Sequence, residues 1–289
     1  MENKALDLTK RDLICLKKIL DDNPENTSKW VIDTENVNNP DNYTHNDVIW
    51  SKIDGHYRVT KLYLLHQNLT NFDVSALTQL TVLNCMYNKL STLNLSGLIN
   101  LKTLNCEHNR LSSLDLSELL KLEELNCEEN RLTTINLSGL IHLKTLNCND
   151  NRLRSLDLSG LLKLKELYCN YNRLAALNLC TLTSLMGVDC SENEIISLQL
   201  TGLTRLVVVD CSYNRLTSLD VSENINLIRL CCYENELMTL DISKNRKLET
   251  LECNHNPLKD IAKSIKASTK HVLEDSNPAL ENPCFIFSK

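Results

Sequence analysis

Nine cysteines recur every 21 residues from Cys85 to Cys253, and each is followed three residues later by an asparagine: Asn88, Asn109, Asn130, Asn151, Asn172, Asn193, Asn214, Asn235 and Asn256. No insertion breaks the register. A fixed period in the twenties marks a chain of stacked units, in which neighbours bury a core that no unit can bury alone. The unit from Leu101 reads LKTLNCEHNRLSSLDLSELLK, and the next, from Leu122, reads LEELNCEENRLTTINLSGLIH. Numbered from its first leucine, the unit carries leucine or a close substitute at places 1, 4, 11, 14, 16 and 19, cysteine at 6 and asparagine at 9.

Places 4 and 6 have the period of two that marks a strand with one buried side. Places 16, 19 and the next place 1 lie three apart, which suits an extended or 3-10 return too short for an α-helix. The expected fold is therefore an α/β-type solenoid. It has a parallel sheet of about ten strands on its concave side, at ~4.8 Å per strand, and an irregular or 3-10 convex side. A tenth unit starts at Val59 (VTKLYLLHQNLTNFDVSALTQ), with Leu64 in the cysteine place and Gln67 in the asparagine place. The asparagines are expected to form a buried structural ladder at a sharp bend. An unpaired buried amide costs about 1–3 kcal/mol, so such a row works only if every member is bonded.

Phe, Trp and Tyr make up only 4% of the 289 residues, so the core is leucine rather than aromatic. The net charge of −6 argues against nucleic acid as a partner. No run of 18 apolar residues suggests a membrane span, and MENKALDLTK has no apolar signal region. The expectation is a cytoplasmic or otherwise reducing location, reached without a classical signal sequence. The nine cysteines form a line facing one interior, whereas zinc needs four converging ligands. They read as small hydrophobes in a reducing compartment, with no metal and no cofactor. Cys15, Cys180, Cys231 and Cys284 stand outside the row.

The unit resembles the leucine-rich-repeat family, whose signature is LxxLxLxxNxL with cysteine often replacing the third leucine. The match covers about residues 59–258. The short regular units look like the internalin-type repeats of bacterial pathogens, although the unit here is 21 residues rather than the internalin 22. The resemblance implies a curved superhelix that binds proteins on its concave face, and the repeat style is similar to that of effectors of intracellular bacterial pathogens.

Three segments follow: residues 1–58 as a helical N-terminal cap, 59–258 as ten repeats, and 259–289 as a C-terminal capping helix and tail. Thr9 followed by Asp12 reads as a capping-box start, with Leu13, Ile14, Leu16, Ile19 and Leu20 as the apolar face. The order helix, Trp30, loop, Trp50, then RVTxLxL is similar to the N-terminal caps of plant-type leucine-rich-repeat proteins, without their cysteine pair. Pro257 breaks the last unit, and Leu258, Ile261 and Ile265 suit a short amphipathic helix. The last segment resembles the uncleaved export signals of bacterial effectors, which implies transfer into a host cell; packing of Phe285 and Phe287 onto the cap is the alternative.

If places 4 and 6 face inward, places 3, 5 and 7 face outward and place 8 forms the rim. That face carries six tyrosines, including Tyr63, and eleven acids, with Lys61 and Arg229 as its bases. The candidate partner-binding residues are Tyr87, Glu128, Glu129, Asp150, Tyr168, Tyr171, Asp189, Glu192, Asp210, Tyr213, Arg229 and Tyr233. Tyrosine offers stiff contact area with a polar tip, and acids steer a basic surface into place. Leu65, Val82 and Met86 make the first units more apolar. The arginines of place 10, such as Arg110 and Arg131, are expected to neutralise part of the acidic row at place 8.

These features point to a non-catalytic module, monomeric on its own, that docks a protein with a basic patch or cleft and inhibits or regulates it by occlusion. That partner is a host protein or another bacterial protein, with neither nucleic acid nor membrane involved. The alternative is an adaptor bridging two proteins. No nucleophile, base and orienting group assemble from the seven histidines, so an enzyme is not expected.

Overall fold

A computed structural model describes residues 2–22, 48–258 and 271–273. The chain divides into two compact units, Met1–Leu143 and Lys144–Lys289. The helix expected near 258–265, the tail with Cys284, Phe285 and Phe287, and Trp30 lie outside the described residues.

The first unit opens with α1 (Glu2–Asp21), followed by β1 (Val48–Ile53) and β2 (His56–Tyr63) as an antiparallel hairpin. Asp54 and Gly55 form its turn, both with positive φ (50° and 86°). Asp-Gly is the pair that a two-residue turn of this handedness favours, because its twist matches that of the strands. From β2 the sheet continues in parallel through β3 (Val82–Asn84), β4 (Thr103–Asn105) and β5 (Glu124–Asn126). Leu62, Leu83, Leu104 and Leu125 stand in register and are all buried.

Helix α1 starts at Glu2, well before the expected capping box, and Asp12 has another role. The Asp12 carboxylate, 0% exposed, receives Arg58 Nε at 2.9 Å, Arg58 Nη2 at 3.0 Å and the Val59 N–H at 3.0 Å. It ties the helix to β2 rather than closing the helix's own first turn. Desolvation pushes Asp12 above the ordinary carboxyl range, and the Arg58 bonds pull against that rise. Leu13, Leu16 and Ile19 are buried along the same helix. Together these contacts make α1 an N-terminal helical cap.

The second unit stacks β6 (Thr145–Asn147), β7 (Glu166–Tyr168), β8 (Gly187–Asp189), β9 (Val208–Asp210), β10 (Arg229–Cys231), β11 (Thr250–Glu252) and β12 (His271–Leu273). Every neighbouring pair is parallel, and the central residues stay in register from Leu146 to Val272. Burying a leucine or similar aliphatic side chain contributes about 1.5–3 kcal/mol, and the repeats make that gain at places 1, 4, 11 and 16, and at place 19 where it is leucine. The cysteines of place 6 lie beneath the sheet as buried thiols, several donating weakly to a carbonyl of the next repeat, as Cys106 Sγ does to Asn126 at 3.5 Å. Burial pushes the Cys85 thiol up to about 12 and Cys106 well above its ordinary value.

The return side is built from single turns rather than a helix. Asp115 Oδ1 accepts the Ser117 N–H at 3.0 Å, and Leu119 N–H and Leu122 N–H then bond three residues back, at 3.0 and 2.9 Å. The recurring Asp/Asn-Leu-Ser string is thus an Asx-turn that starts the return. Place 19 departs from leucine twice. Asn224 and Asn245 are buried there and each donates to two carbonyls of the return side, Asn224 to Leu200 and Leu203 and Asn245 to Val221 and Asn224. This short second asparagine row was not expected from the leucine pattern; the loss of leucine at place 19 was its signal.

The asparagines of place 9 bond both within and between repeats. Asn109 Nδ2 donates to the carbonyls of Cys85, Cys106 and Glu107 at 3.0, 3.0 and 3.1 Å, while its Oδ1 accepts the Leu90 N–H at 3.0 Å. Asn172, Asn193, Asn214, Asn235 and Asn256 repeat this pattern in the second unit. Asn109→Ala would strand the buried Leu90 N–H and leave the Cys85 carbonyl with the Asn88 amide alone, at a cost of about 1–3 kcal/mol. We expect that loss in denaturant titration, with the exposed neighbour Arg110→Ala staying within about 0.5 kcal/mol of the parent. Equal stability of the two variants would contradict this role for the asparagine.

Candidate functional site

Place 8 sits between the strand and the asparagine, and its backbone is left-handed in every repeat. His66, Tyr87, His108 and Glu129 in the first unit, and Asp150, Tyr171, Glu192, Tyr213, Glu234 and His255 in the second, have φ between 47° and 56°. This conformation swings the chain so that the next side chain, the asparagine, points inward. It suits Gly and Asn; in other residues it costs about 1–3 kcal/mol and persists only where the surroundings impose it. In nine of the ten repeats the asparagine that follows is bonded into the bend, and in the first the N–H of Gln67 donates to Asn88 Oδ1 at 3.1 Å. The same geometry lifts the place-8 side chain outward.

In the first unit, Tyr87 is 38% exposed and stacks between His66 and His108, with centroids 4.4 and 4.1 Å away and planes 15° and 19° from parallel. His108 Nδ1 lies 2.6 Å from Glu129 Oε2, and its Nε2 lies 3.6 Å from Glu107 Oε1. Glu107 in turn accepts Asn126 Nδ2 at 2.9 Å. Glu128 is half-buried beside this column and Glu129 is exposed. The two histidines were not among the candidate contacts; their spacing of one repeat on either side of Tyr87 was the signal.

In the second unit, Tyr171 and Tyr213 are 54% and 43% exposed. Tyr233 meets Tyr213 edge-on, with centroids 5.1 Å apart. Asp150 is exposed, and Tyr168 and Glu192 are half-buried. Burial raises Tyr168, helped by the charge of Glu166, whose Oε2 lies 3.3 Å from the Tyr168 hydroxyl. Burial also raises Tyr171, followed by the charges of Glu192 and Asp150, and Glu192 itself is raised by burial.

Two expected contacts need correction. Asp189 and Asp210 are each only 6% exposed. Asp189 accepts the Ser191 N–H at 3.0 Å, Ser191 Oγ at 2.6 Å and Asn170 Nδ2 at 2.6 Å; Asp210 accepts Ser212 N–H and Oγ in the same way. These short carboxylates fold down onto place 7 and fasten the sheet surface rather than standing out to a partner. Arg229 is held by Glu252, with Nη2 2.9 Å from Oε1. The place-8 acids were also expected to be partly neutralised by the place-10 arginines. Among the described residues, Glu129 and Glu234 pair with His108 and His255.

No group of three or more His, Cys, Asp or Glu among the described residues is placed to hold a metal ion. No described helix is long and apolar enough to cross a membrane.

No protein-family profile matches the chain, and no curated protein matches it in sequence. Solved structures do match. The functional domain of InlJ from Listeria monocytogenes, which includes a cysteine ladder, is 35% identical with a TM-score of 0.64; the match covers 67% of this chain and 43% of that one. A leucine-rich-repeat protein of Leptospira interrogans is 29% identical with a TM-score of 0.67, covering 71% of this chain and 57% of that one. YopM from Yersinia enterocolitica is 25% identical with a TM-score of 0.54, covering 68% and 47%. The chain thus spans about half the length of the solved proteins it matches.

This is a leucine-rich-repeat protein, structurally like the bacterial internalins and YopM. Its fold is one typical of protein-binding modules, which are generally non-catalytic.

The burial of Asp189 has a pH consequence. Desolvation raises its folded-state value, against the bonds from Ser191 and Asn170. An acid raised on folding favours the native state below its ordinary range and loses that contribution as pH rises through the folded value. Asp189→Asn should therefore melt at or above the parent at pH 7, and the difference should fall in the parent's favour as pH drops below 4. Thermal melts across that range check this; a parent that is more stable at pH 7, with a gap that shrinks on acidification, would contradict it.

Proposed function

We propose that the chain is a non-catalytic bacterial protein, of effector type, that docks a partner protein with a basic patch or cleft on the tyrosine-bearing, acidic outer face of its sheet. By covering that cleft it inhibits or regulates the partner. The observation that carries this reading is the identity of the place-8 residues. A position where Asn or Gly would cost less instead holds Tyr87, Tyr171 and Tyr213, each 38–54% exposed, among Glu129, Asp150, Glu192 and Glu234. Exposed tyrosines beside acids supply both anchors and steering for a basic surface. The buried thiols fit a reducing compartment, the producing cell's cytoplasm or that of a host, and the bacterial sources of the similar structures support the effector reading.

A second reading, an adaptor, is favoured by another surface of the first unit. Ile99, Leu120 and Ile141 occupy place 20 of successive repeats and are each 53–55% exposed. Such a row could take a second protein.

The test is affinity capture from producing-cell and host lysates, comparing the parent with Tyr171→Asn/Tyr213→Asn. Asparagine tolerates the left-handed backbone, so the variant keeps its fold. Basic proteins should be retained by the parent and weakened at least about tenfold in the variant, in line with losing interface anchors. Equal recovery with both would contradict the docking face. A ternary complex that is lost in Leu120→Asp would establish the adaptor reading instead of occlusion.

A further inference from the structure

In the second unit the place-8 column alternates strictly: Asp150, Tyr171, Glu192, Tyr213, Glu234, His255. Acid and ring change places at each repeat, and all six share the left-handed backbone. The inter-strand bonding runs on through this column. The N–H groups of Tyr171, Glu192, Tyr213 and Glu234 donate to the place-7 carbonyls of the next repeat at 3.0–3.2 Å. Neighbours along the column are therefore one strand spacing apart, ~4.8 Å, and like residues two spacings apart, ~9.6 Å. The exposed rings recur at that period, with Glu192 and Glu234 at the positions between them. Tyr233 widens the central ridge by meeting Tyr213 edge-on.

A ligand lying along the column must repeat at the same interval. A polyproline II helix repeats every three residues, ~9.3 Å, with a like side chain on the same edge. An α-helix offers a like side chain at seven residues, ~10.5 Å. An extended strand offers one at two residues, ~6.7 Å. Over the two intervals from Tyr171 to His255 the mismatch is ~0.6 Å for polyproline II, ~1.8 Å for the helix and ~6 Å for the strand. Ring ridges also suit proline, whose stiff flat face packs on tyrosine and whose helix is already extended before binding. Glu234 pairs with His255 at 3.2 Å and Glu192 accepts a hydrogen bond from Tyr171, and each carboxylate has further lone pairs with which to meet a cation. Arginine one residue from the ring-bound proline is offset ~3.1 Å along the axis, and its long side chain covers the remaining ~1.7 Å to the carboxylate.

We propose that the Asp150–His255 column of the second unit binds a polyproline II segment carrying an arginine or lysine at every third position. The proposal rests on the docking face described above and names the kind of partner segment that lies along it.

The test uses the full chain and three labelled peptides of equal charge: (Pro-Pro-Arg)5, (Gly-Gly-Arg)5, and an alanine-rich helical peptide with arginine spaced seven residues apart. Fluorescence anisotropy should give (Pro-Pro-Arg)5 at least about tenfold tighter binding than either of the others, a gap of about 1.4 kcal/mol. Tyr171→Asn/Tyr213→Asn should remove that gap. Glu192→Gln/Glu234→Gln should weaken (Pro-Pro-Arg)5 and flatten its salt dependence. Equal binding of the glycine peptide would mean charge alone is read, and tighter binding of the helical peptide would mean the wrong repeat was assigned; either overturns the proposal. If (Pro-Pro-Arg)5 fails while basic proteins are still captured through Tyr171 and Tyr213, the docking face stands and the polyproline II assignment falls. If the tyrosine substitutions leave protein capture unchanged as well, both fall together.

Discussion

Each repeat depends on one side-chain amide placed where the chain leaves its strand. The asparagine of place 9 meets carbonyls of its own repeat and the preceding one, and it accepts an N–H from the preceding repeat's place 11, as Asn172 does from Leu153 at 2.9 Å. No regular helix or sheet ladder could satisfy those backbone groups at the bend. Leaving them bare would cost about 1–3 kcal/mol each. The leucine core supplies most of the burial, but leucines alone would not fix where the chain turns. The asparagine does that, and it does so at the same point of the nine repeats from Asn88 to Asn256.

The candidate docking surface follows from that turn. Bringing the asparagine inward forces place 8 into the left-handed region, which raises its side chain away from the sheet. Places 3, 5 and 7 remain within the pleated surface, where short polar groups bond across neighbouring residues, as Asp189 does with Ser191 and Asn170. The residue that bears the conformational cost is thus one that stands out from the sheet face. Tyrosine at such a place is unfavourable for the backbone, so its presence at Tyr171 and Tyr213 is better explained by contact than by folding.

The repeat was legible in the sequence because a strict 21-residue period carries both the strand alternation and the asparagine. Depth was harder to read. A period of two gives the direction in which a side chain leaves a strand and says nothing of how far it stands out, so Asp189 and Asp210 read as contacts while their serine neighbours hold them down. The start of α1 was obscured by Asp12, which has the spacing of a capping box but meets Arg58, 46 residues away in sequence. The hairpin of β1 and β2 was announced by Asp54-Gly55, a signal present in the sequence and passed over. The stacking of Tyr87 between histidines depended on knowing that place 8 forms a column of its own rather than the edge of the strand face.

Amide hydrogen exchange tests the central claim most directly. The N–H groups of Leu90, Leu111, Leu153, Leu174, Ile195, Leu216 and Leu237 lie outside the strands and donate to asparagine Oδ1 atoms. If those bonds hold the turn, these amides exchange as slowly as strand and ladder amides such as Cys106 and Cys169. Exchange at the rate of an exposed turn would mean that the asparagines do not set the register, and the account of the outward column would lose its foundation.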